Sequence, residues 1–424
     1  MKLSLKLLSL LLCIISVVFS LTACKKKDSL ITEEENLLSS YSRSSSVPTY
    51  NFRESADLMP ENYQIYINAS QDFSLDLLRE VAGNGENTVL SPLAVSEMLA
   101  LLSNGSTSQT SQNLRNTVGS TLSLSDLNLC NYYLRQRIQS ISAEGTFYST
   151  SSLWLNDRFD VKSPFLQTAA DYFSTNVIRT DFSGDKFYDK LNGFVSEKTD
   201  GKKSGEISDI PSDYMMFAAA DTLLLDGWLK PFDESTLFKG TFNGTNTTSE
   251  EIFMVSSESY ISSDIAEGFT KSLKGTPMKF AAIMPKDDIT IEEFSELLTA
   301  SRLDTLLHSA TPAGNVQIAL PIFSSESDLS LKDTLSALGA DRAFDPEKSN
   351  FSDMSSSDKV YLNDVLHYCA LSVTPKGFGD STDDYTAASQ RSDAELIFSR
   401  PFIFMIYDNE SAIPVLIGTV ENIP

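Results

Sequence analysis

Two strand-like runs near the carboxyl terminus are separated by a polar stretch of about 25 residues, so the fold must present a long loop between core strands. The first run extends over Tyr361–Val373, and the second, Phe402–Tyr407, turns back into Ala412–Val420. Long loops without regular structure are uncommon in compact domains and are usually functional. We therefore expect the stretch that begins at Lys376 to be offered to another molecule, with a protease as the obvious candidate.

Short motifs follow one another in a fixed order over roughly residues 60–424. They are Asn87–Val95, Leu191–Val195 with Thr199 and Gly201-Lys202, Gly227–Phe232, Ala282–Lys286, Leu320–Phe323, Leu338-Gly339 with Ala343-Phe344, Asn350–Ser352, Val365–His367 and Ser399–Phe402. In this order they resemble the serpin family, although each motif is weak alone. The resemblance implies an α+β, serpin-like fold in which helices pack around a large central mixed β-sheet, with further sheets and an exposed reactive-centre loop.

Hydrophobic periodicity supports this fold class from the residues themselves. A helical repeat runs over Val95–Leu102 behind Ser91 as its N-cap, and Gly105 should end it. A second helical repeat covers Ile291–Leu298, whereas Val316–Leu320 alternates as a strand does. Helices concentrate early and strands late, which favours α+β over a repeated βαβ unit.

The amino terminus has the pattern of an export signal. Basic residues precede an apolar run that ends in Leu21-Thr-Ala before Cys24, and the run is too short for a spanning helix. This ending resembles the bacterial lipobox, in which Cys24 would be acylated and would hold the protein to a lipid bilayer. The alternative is an ordinary signal peptide cut nearby. We expect a lipoprotein signal peptide over residues 1–23, a lipidated flexible tether over 24–55 and a serpin domain over 56–424.

Composition excludes several classes of function. The formal charge of −24 argues against nucleic acid as a partner. The chain has only two histidines, His308 and His367, and none of the motifs of hydrolases, zinc enzymes or phosphate loops. We therefore expect no enzyme activity, no metal and no cofactor. The spacing of Cys130 and Cys369 alone does not establish a disulfide between them. We also expect the protein to be a monomer.

The resemblance assigns two groups of residues to the central sheet. It places Ser91, Asn192, Asp221 and His367 in the shutter, beneath the point where the sheet opens, and Trp228 in the breach at its top. Asp221 stands where the family usually has asparagine. A carboxylate there could form a charge-assisted bond with protonated His367, which would make the site sensitive to pH.

The resemblance also nominates the bond that a protease would cleave. The family's usual spacing, counted from Gly377 as the hinge glycine, gives Arg391 as the recognised residue and Ser392 after it. A slip of one residue would nominate Gln390 or Ser392 instead. An arginine suits a trypsin-like pocket whose buried carboxylate pairs with the guanidinium. The alternative is that Arg391 is one more solvated loop residue.

The hinge of the loop departs from the family pattern. One register would turn Phe378, Asp380, Thr382 and Asp384 inward on insertion, and a shift of one residue would turn Gly377, Gly379, Ser381 and Asp383 inward. An ionised carboxylate in a sheet interior costs several kcal/mol unless it is paired or protonated. Pro375 replaces the usual glutamate and withholds a ladder donor.

These features leave two functions open. The first is a membrane-tethered suicide inhibitor of trypsin-like serine proteases, with cysteine proteases as a further class, exported and lipid-anchored to the outer face of a bacterial membrane at the cell surface or in the periplasm. The second is a non-inhibitory protein of the same fold that binds a ligand or partner at the cell surface. The acidic hinge favours the second.

Overall fold

A computed structural model describes residues 31–50, 52, 59–83, 85–141, 147–184, 186–198, 207–224, 227–286, 288–312, 316–379, 385–387 and 393–423. Its α-helices are α1 (Tyr63–Val81), α2 (Pro92–Gly105), α3 (Ser108–Thr117), α4 (Leu124–Ile141), α5 (Ser163–Tyr172), α6 (Phe187–Lys198), α7 (Ile291–Leu297), α8 (Ala300–His308), α9 (Lys332–Leu335) and α10 (Asp341–Phe344). Its strands are β1 (Thr88–Leu90), β2 (Phe147–Asn156), β3 (Thr175–Thr180), β4 (Met216–Leu224), β5 (Phe238–Asn243), β6 (Thr248–Ser262), β7 (Ala266–Ser272), β8 (Met278–Pro285), β9 (Val316–Pro321), β10 (Phe323–Ser330), β11 (Asp364–Val373), β12 (Leu396–Ile397), β13 (Phe402–Asp408) and β14 (Pro414–Val420).

A mixed sheet of five strands carries the candidate site. Its order is β10-β11-β4-β2-β3, and the two central strands, β4 and β11, pair in parallel. The neighbouring pairs β10–β11 and β2–β4 are antiparallel, whereas β2 and β3 are parallel. One face of this sheet packs on the main core, and the aromatic cluster around Trp154 and Phe217 packs on the other face with residues of α6.

A second sheet of nine strands lies in the order β1-β14-β13-β8-β7-β6-β9-β12, with β5 paired to β6. The hairpin predicted over Phe402–Val420 forms β13 and β14, which are buried along their whole length. The helices and the mixed sheet confirm the predicted α+β class.

The helix predicted from Ser91 onward is confirmed as α2. The Ser91 hydroxyl accepts a hydrogen bond from the Ala94 amide at 3.4 Å, and Pro92 occupies the first turn, where no backbone donor is needed. The helix ends at Gly105, as its sequence indicated. Ser91 therefore fixes the start of α2.

Residues 31–50, which lie within the segment predicted as a lipidated flexible tether, contact the domain in this structure, and we call them the strap. Asn36 forms an antiparallel bridge with Ile178 at the free edge of β3, and the Leu37 amide donates to the Val177 carbonyl at 2.8 Å. The Ser44 amide donates to Asp171 of α5 at 2.7 Å. The strap docks because an edge strand offers unpaired backbone groups, and because its apolar side chains pack against the core.

In the part of the chain that the structure describes, we find no helix with the length and apolar character needed to span a bilayer.

Candidate functional site: shutter, breach and hinge

The site is centred on the boundary between β4 and β11. The two strands pair from Phe217 opposite Asp364 to Leu223 opposite Ala370. The chain that follows β11 leaves the sheet, and it returns at β12, which pairs with β9 of the other sheet. β4 and β11 are therefore joined directly along this register, with no strand between them.

His367 lies in β11 with no exposed surface and connects three elements. Its Nδ1 donates to the Ala220 carbonyl of β4 at 2.5 Å, and its Nε2 accepts from the Ser91 amide at 3.1 Å. A ring nitrogen that accepts a hydrogen bond carries no proton, so this arrangement holds the imidazole in its neutral form. The ring joins the two central strands to the start of α2.

The other predicted shutter residues form hydrogen bonds of different kinds. The Ser91 hydroxyl donates to the Val415 carbonyl of β14 at 3.0 Å, so Ser91 links both sheets. The Asn192 amide of α6 exchanges hydrogen bonds with the backbone of Ile207, at 3.0 and 2.7 Å, and so holds the segment that leads into β4. Sequence reasoning did not anticipate that role for Asn192.

Asp221 is buried and lies in register with Tyr368, one position beyond the pair formed by His367 and Ala220. Burial raises the pKa of the nearby Cys369 thiol, and the Asp221 carboxylate raises it further. The charge-assisted bond that we expected between Asp221 and a protonated His367 stays a prediction. Protonation of His367 at Nε2 would require the ring to release the Ser91 amide.

The region that the motif assigns to the breach, and which we call the breach, is an aromatic pocket around Trp228, which is 1% exposed. The ring centroids of Phe280 and Phe232 lie 5.4 and 5.6 Å from that of Trp228. Lys271 is buried against these rings, with its Nζ 4.4 Å from the Phe232 centroid and 5.5 Å from the Trp228 centroid.

The Lys271 ammonium forms an ion pair with Glu258. Burial lowers the pKa of Lys271, while the Glu258 carboxylate acts in the opposite direction. Sequence reasoning missed this pair, because the two residues lie on neighbouring strands, β6 and β7, and carry no motif.

The hinge begins with a tight turn at the end of β11. The Thr374 amide donates to the Gly377 carbonyl at 2.9 Å, and the Gly377 amide donates back to the Thr374 carbonyl at 3.2 Å. Pro375 occupies the second position of this turn, where proline is favoured, so the donor it lacks is not required there. The penalty that we expect for Pro375 concerns the inserted strand, and it stays a prediction.

Phe378 follows the turn and enters the breach. Its side chain is 6% exposed, and its ring centroid lies 4.5 Å from that of Trp228 and 6.0 Å from that of Phe280. Its ring faces the core, as in the first of the two predicted registers. Gly377 and Gly379 lie on either side of it.

The remaining predicted site residues lie outside the described part of the chain. They are Cys24, Asp380, Thr382, Asp384, Arg391 and Ser392. Within the described ranges, no group of three or more His, Cys, Asp or Glu side chains could hold a metal ion. Cys130 and Cys369 are buried free thiols.

Comparisons with known proteins agree with this architecture. A family model described as Serpin (serine protease inhibitor) matches residues 68–423. Alpha-2-antiplasmin of Bos taurus is 26% identical over 86% of this chain and 73% of its own length. An uncharacterized serpin-like protein of Thermococcus kodakarensis is 24% identical over 84% of this chain and 85% of its own length.

Two crystal structures of one relative are informative together. The thermophilic serpin Tengpin in its native state has a TM-score of 0.79 and 26% identity, and the match covers 92% of this chain and 99% of that one. In its latent state the TM-score is 0.73 with 27% identity, over 85% of this chain and 98% of that one. The chain is thus more similar in shape to the native form.

Proposed function

Because this chain belongs to the serpin family, whose members are generally protease inhibitors rather than enzymes, we propose that it is a membrane-tethered inhibitor of trypsin-like serine proteases. The observation that carries the proposal is the direct pairing of β4 and β11, with no strand between them from Phe217 to Leu223. A sheet in this state can still gain a strand, and that gain would supply the driving force for trapping a protease.

The reaction begins as ordinary proteolysis. The serine Oγ of the protease bonds to the carbonyl carbon of Arg391, the peptide bond to Ser392 breaks, and the new amine leaves with a proton from the protease's own base. The loop that ends in Arg391 then inserts between β4 and β11 and carries the covalently bound protease with it. Hydrolysis of the acyl bond competes with this step, so the speed of insertion decides between inhibitor and substrate.

The site on the loop supports a trypsin-like target. Arg391 is the residue at the family's usual spacing from Gly377, and a guanidinium pairs well with a carboxylate at the base of a specificity pocket. Attachment to a membrane through acylated Cys24, on the outer face, is the second part of the proposal, and the Leu21-Thr-Ala-Cys24 sequence supports it.

The alternative is a non-inhibitory protein of the same fold that binds a ligand or partner. It is favoured by Asp380 and Asp384, because alternation along a strand that begins with an inward Phe378 turns both carboxylates inward during insertion. A slow insertion would let the protease complete hydrolysis and leave.

The two functions are separated by mixing the protein with trypsin and boiling the products in detergent. An inhibitor gives a covalent complex at the sum of the two masses, whereas a substrate gives only cleaved chain. Trypsin whose nucleophilic serine has been replaced is the control, since it cannot form the acyl bond. Complete cleavage without any complex would contradict the inhibitory function.

A further inference from the structure

The first residues of the loop form two isolated backbone bridges at the end of the β4–β11 boundary. Val373 and Phe378 form an antiparallel bridge, and Gly377 forms another with Gly227, just beyond the end of β4. A strand inserted after a tight turn from β11 must run antiparallel to β11, and also to β4, because β4 and β11 are parallel. Both bridges have the direction that insertion requires.

The backbone of the turn is fixed to the segment that follows β4. The Thr374 carbonyl accepts from Trp228 Nε1 at 2.8 Å, and the Lys376 carbonyl accepts from the Trp228 amide at 3.4 Å. The Pro375 carbonyl between them accepts from the Phe232 amide at 2.9 Å. Three consecutive carbonyls thus hold the turn between the two strands that have to separate.

The side chain of Phe378 completes this arrangement. Gly377 has a φ angle of 146° and Gly379 has a φ angle of 155°. Residues other than glycine rarely adopt this region of backbone conformation, so the two glycines allow the chain to direct Phe378 inward between them. Its ring then rests on Trp228 and Phe280, and Lys271 Nζ lies 5.5 Å from the Trp228 centroid.

We propose that Phe378 is a positioning residue that starts loop insertion and sets its register. The inference rests on the proposed function and adds the step that precedes insertion. Docked in the breach, Phe378 is the first inward side chain of the new strand, so the loop does not have to find its register after cleavage. Its ring stays in the pocket while the rest of the loop separates β11 from β4.

Two other roles for the Phe378 ring predict different effects of its removal. If the ring were a lock that must leave the pocket before insertion, its removal would speed insertion. If the ring only stabilised the native fold, its removal would lower the melting temperature of the uncleaved protein without changing the fate of the acyl-enzyme. The number of molecules cleaved for each trypsin molecule trapped separates these roles.

The test compares Phe378→Ala with Phe378→Leu, which keeps an apolar side chain in the pocket, and with Leu229→Ala as the control. Leu229 adjoins Trp228, but it is 60% exposed. We expect Phe378→Ala to raise the number of molecules cleaved per trypsin trapped at least tenfold, a rise in the insertion barrier of about 1.4 kcal/mol. Phe378→Leu should fall between Phe378→Ala and the wild type, and Leu229→Ala should match the wild type.

A second measurement follows loop insertion without depending on the trapping of a protease. Each variant is cut in the loop by a metalloprotease, which forms no acyl-enzyme, and the melting temperature of the cut protein is followed over time. If cut wild type never gains stability, the proposed inhibitory function fails, and this inference fails with it. If cut wild type gains stability and Phe378→Ala gains it as fast or faster, only this inference is overturned. Should the alanine variant not fold, Phe378→Leu decides by the same two measurements.

Discussion

Replacing His367 by alanine removes the ring that joins β4, β11 and α2. The Ala220 carbonyl and the Ser91 amide each lose their bond to the ring, at a position with no exposed surface. An unsatisfied buried backbone group costs about 1–3 kcal/mol, so we expect the free energy of unfolding to fall by about 2–6 kcal/mol. The bond from His367 to Ala220 exists only while β4 and β11 are direct neighbours, so a strand inserted between them abolishes it.

Two effects therefore follow from His367→Ala. The uncleaved protein should unfold at lower urea concentration and lower temperature, and it should convert sooner to a form with the loop inserted. The cleaved and inserted form, which lacks this bond in any case, should lose less stability than the uncleaved form. His367→Gln should recover part of the loss, because its amide can both donate to Ala220 and accept from Ser91.

The other histidine provides a matched control. The His308 side chain is 62% exposed and lies near Asp304 on α8. Exposed pairs of this kind contribute little to stability, so His308→Ala should melt like the wild type. If His367→Ala also shows an unchanged urea midpoint and melting temperature, the assigned role of the ring as the link between β4, β11 and α2 is wrong.

Three further predictions concern parts of the chain outside the described residues. Trypsin should make its first cut after Arg391, and Arg391→Ala should abolish that cut without changing the melting curve; mass spectrometry that finds the first cut elsewhere contradicts the assigned bond. Cys24→Ala should move the protein out of the membrane fraction, because it removes the acylated thiol, and retention after salt washing would refute lipid anchoring. Asp380→Ala combined with Asp384→Ala should raise the fraction of trypsin trapped, since each ionised carboxylate costs several kcal/mol on burial, whereas Asp383→Ala should not, because alternation turns Asp383 outward.

Much of the fold was predictable because local signals and family motifs agreed. Ser91, followed by proline and an apolar repeat, defined α2 with its end at Gly105, and two continuous apolar runs joined by a polar turn defined the terminal hairpin. Trp228, which its motif assigned to the breach, is buried among aromatic rings beyond the end of β4. These are features in which the residues themselves carry the information.

Other features depended on contacts that sequence spacing does not contain. The register between β4 and β11 sets Ala220 opposite His367, and only the assembled sheet shows which backbone groups the ring binds. Phe378 was one of four residues that one register turned inward, but the aromatic pocket that accepts it is built from separate strands and loops. The strap was missed for a related reason, since it pairs through backbone groups and has no hydrophobic periodicity.

The strap changes what an anchor at Cys24 would mean for the geometry of inhibition. Only residues 25–30 separate Cys24 from the start of the strap. The extended chain between them spans at most about 25 Å. Because the strap pairs with β3, a lipid at Cys24 would hold the β3 edge of the domain toward the bilayer and restrict its rotation.

Insertion divides the sheet into two halves, one with β3, β2 and β4 and the other with β11 and β10. It increases the distance between these halves by one strand spacing, about 4.8 Å. The half of the sheet that carries the strap would then remain with the membrane, while the half that carries β11 moves relative to it.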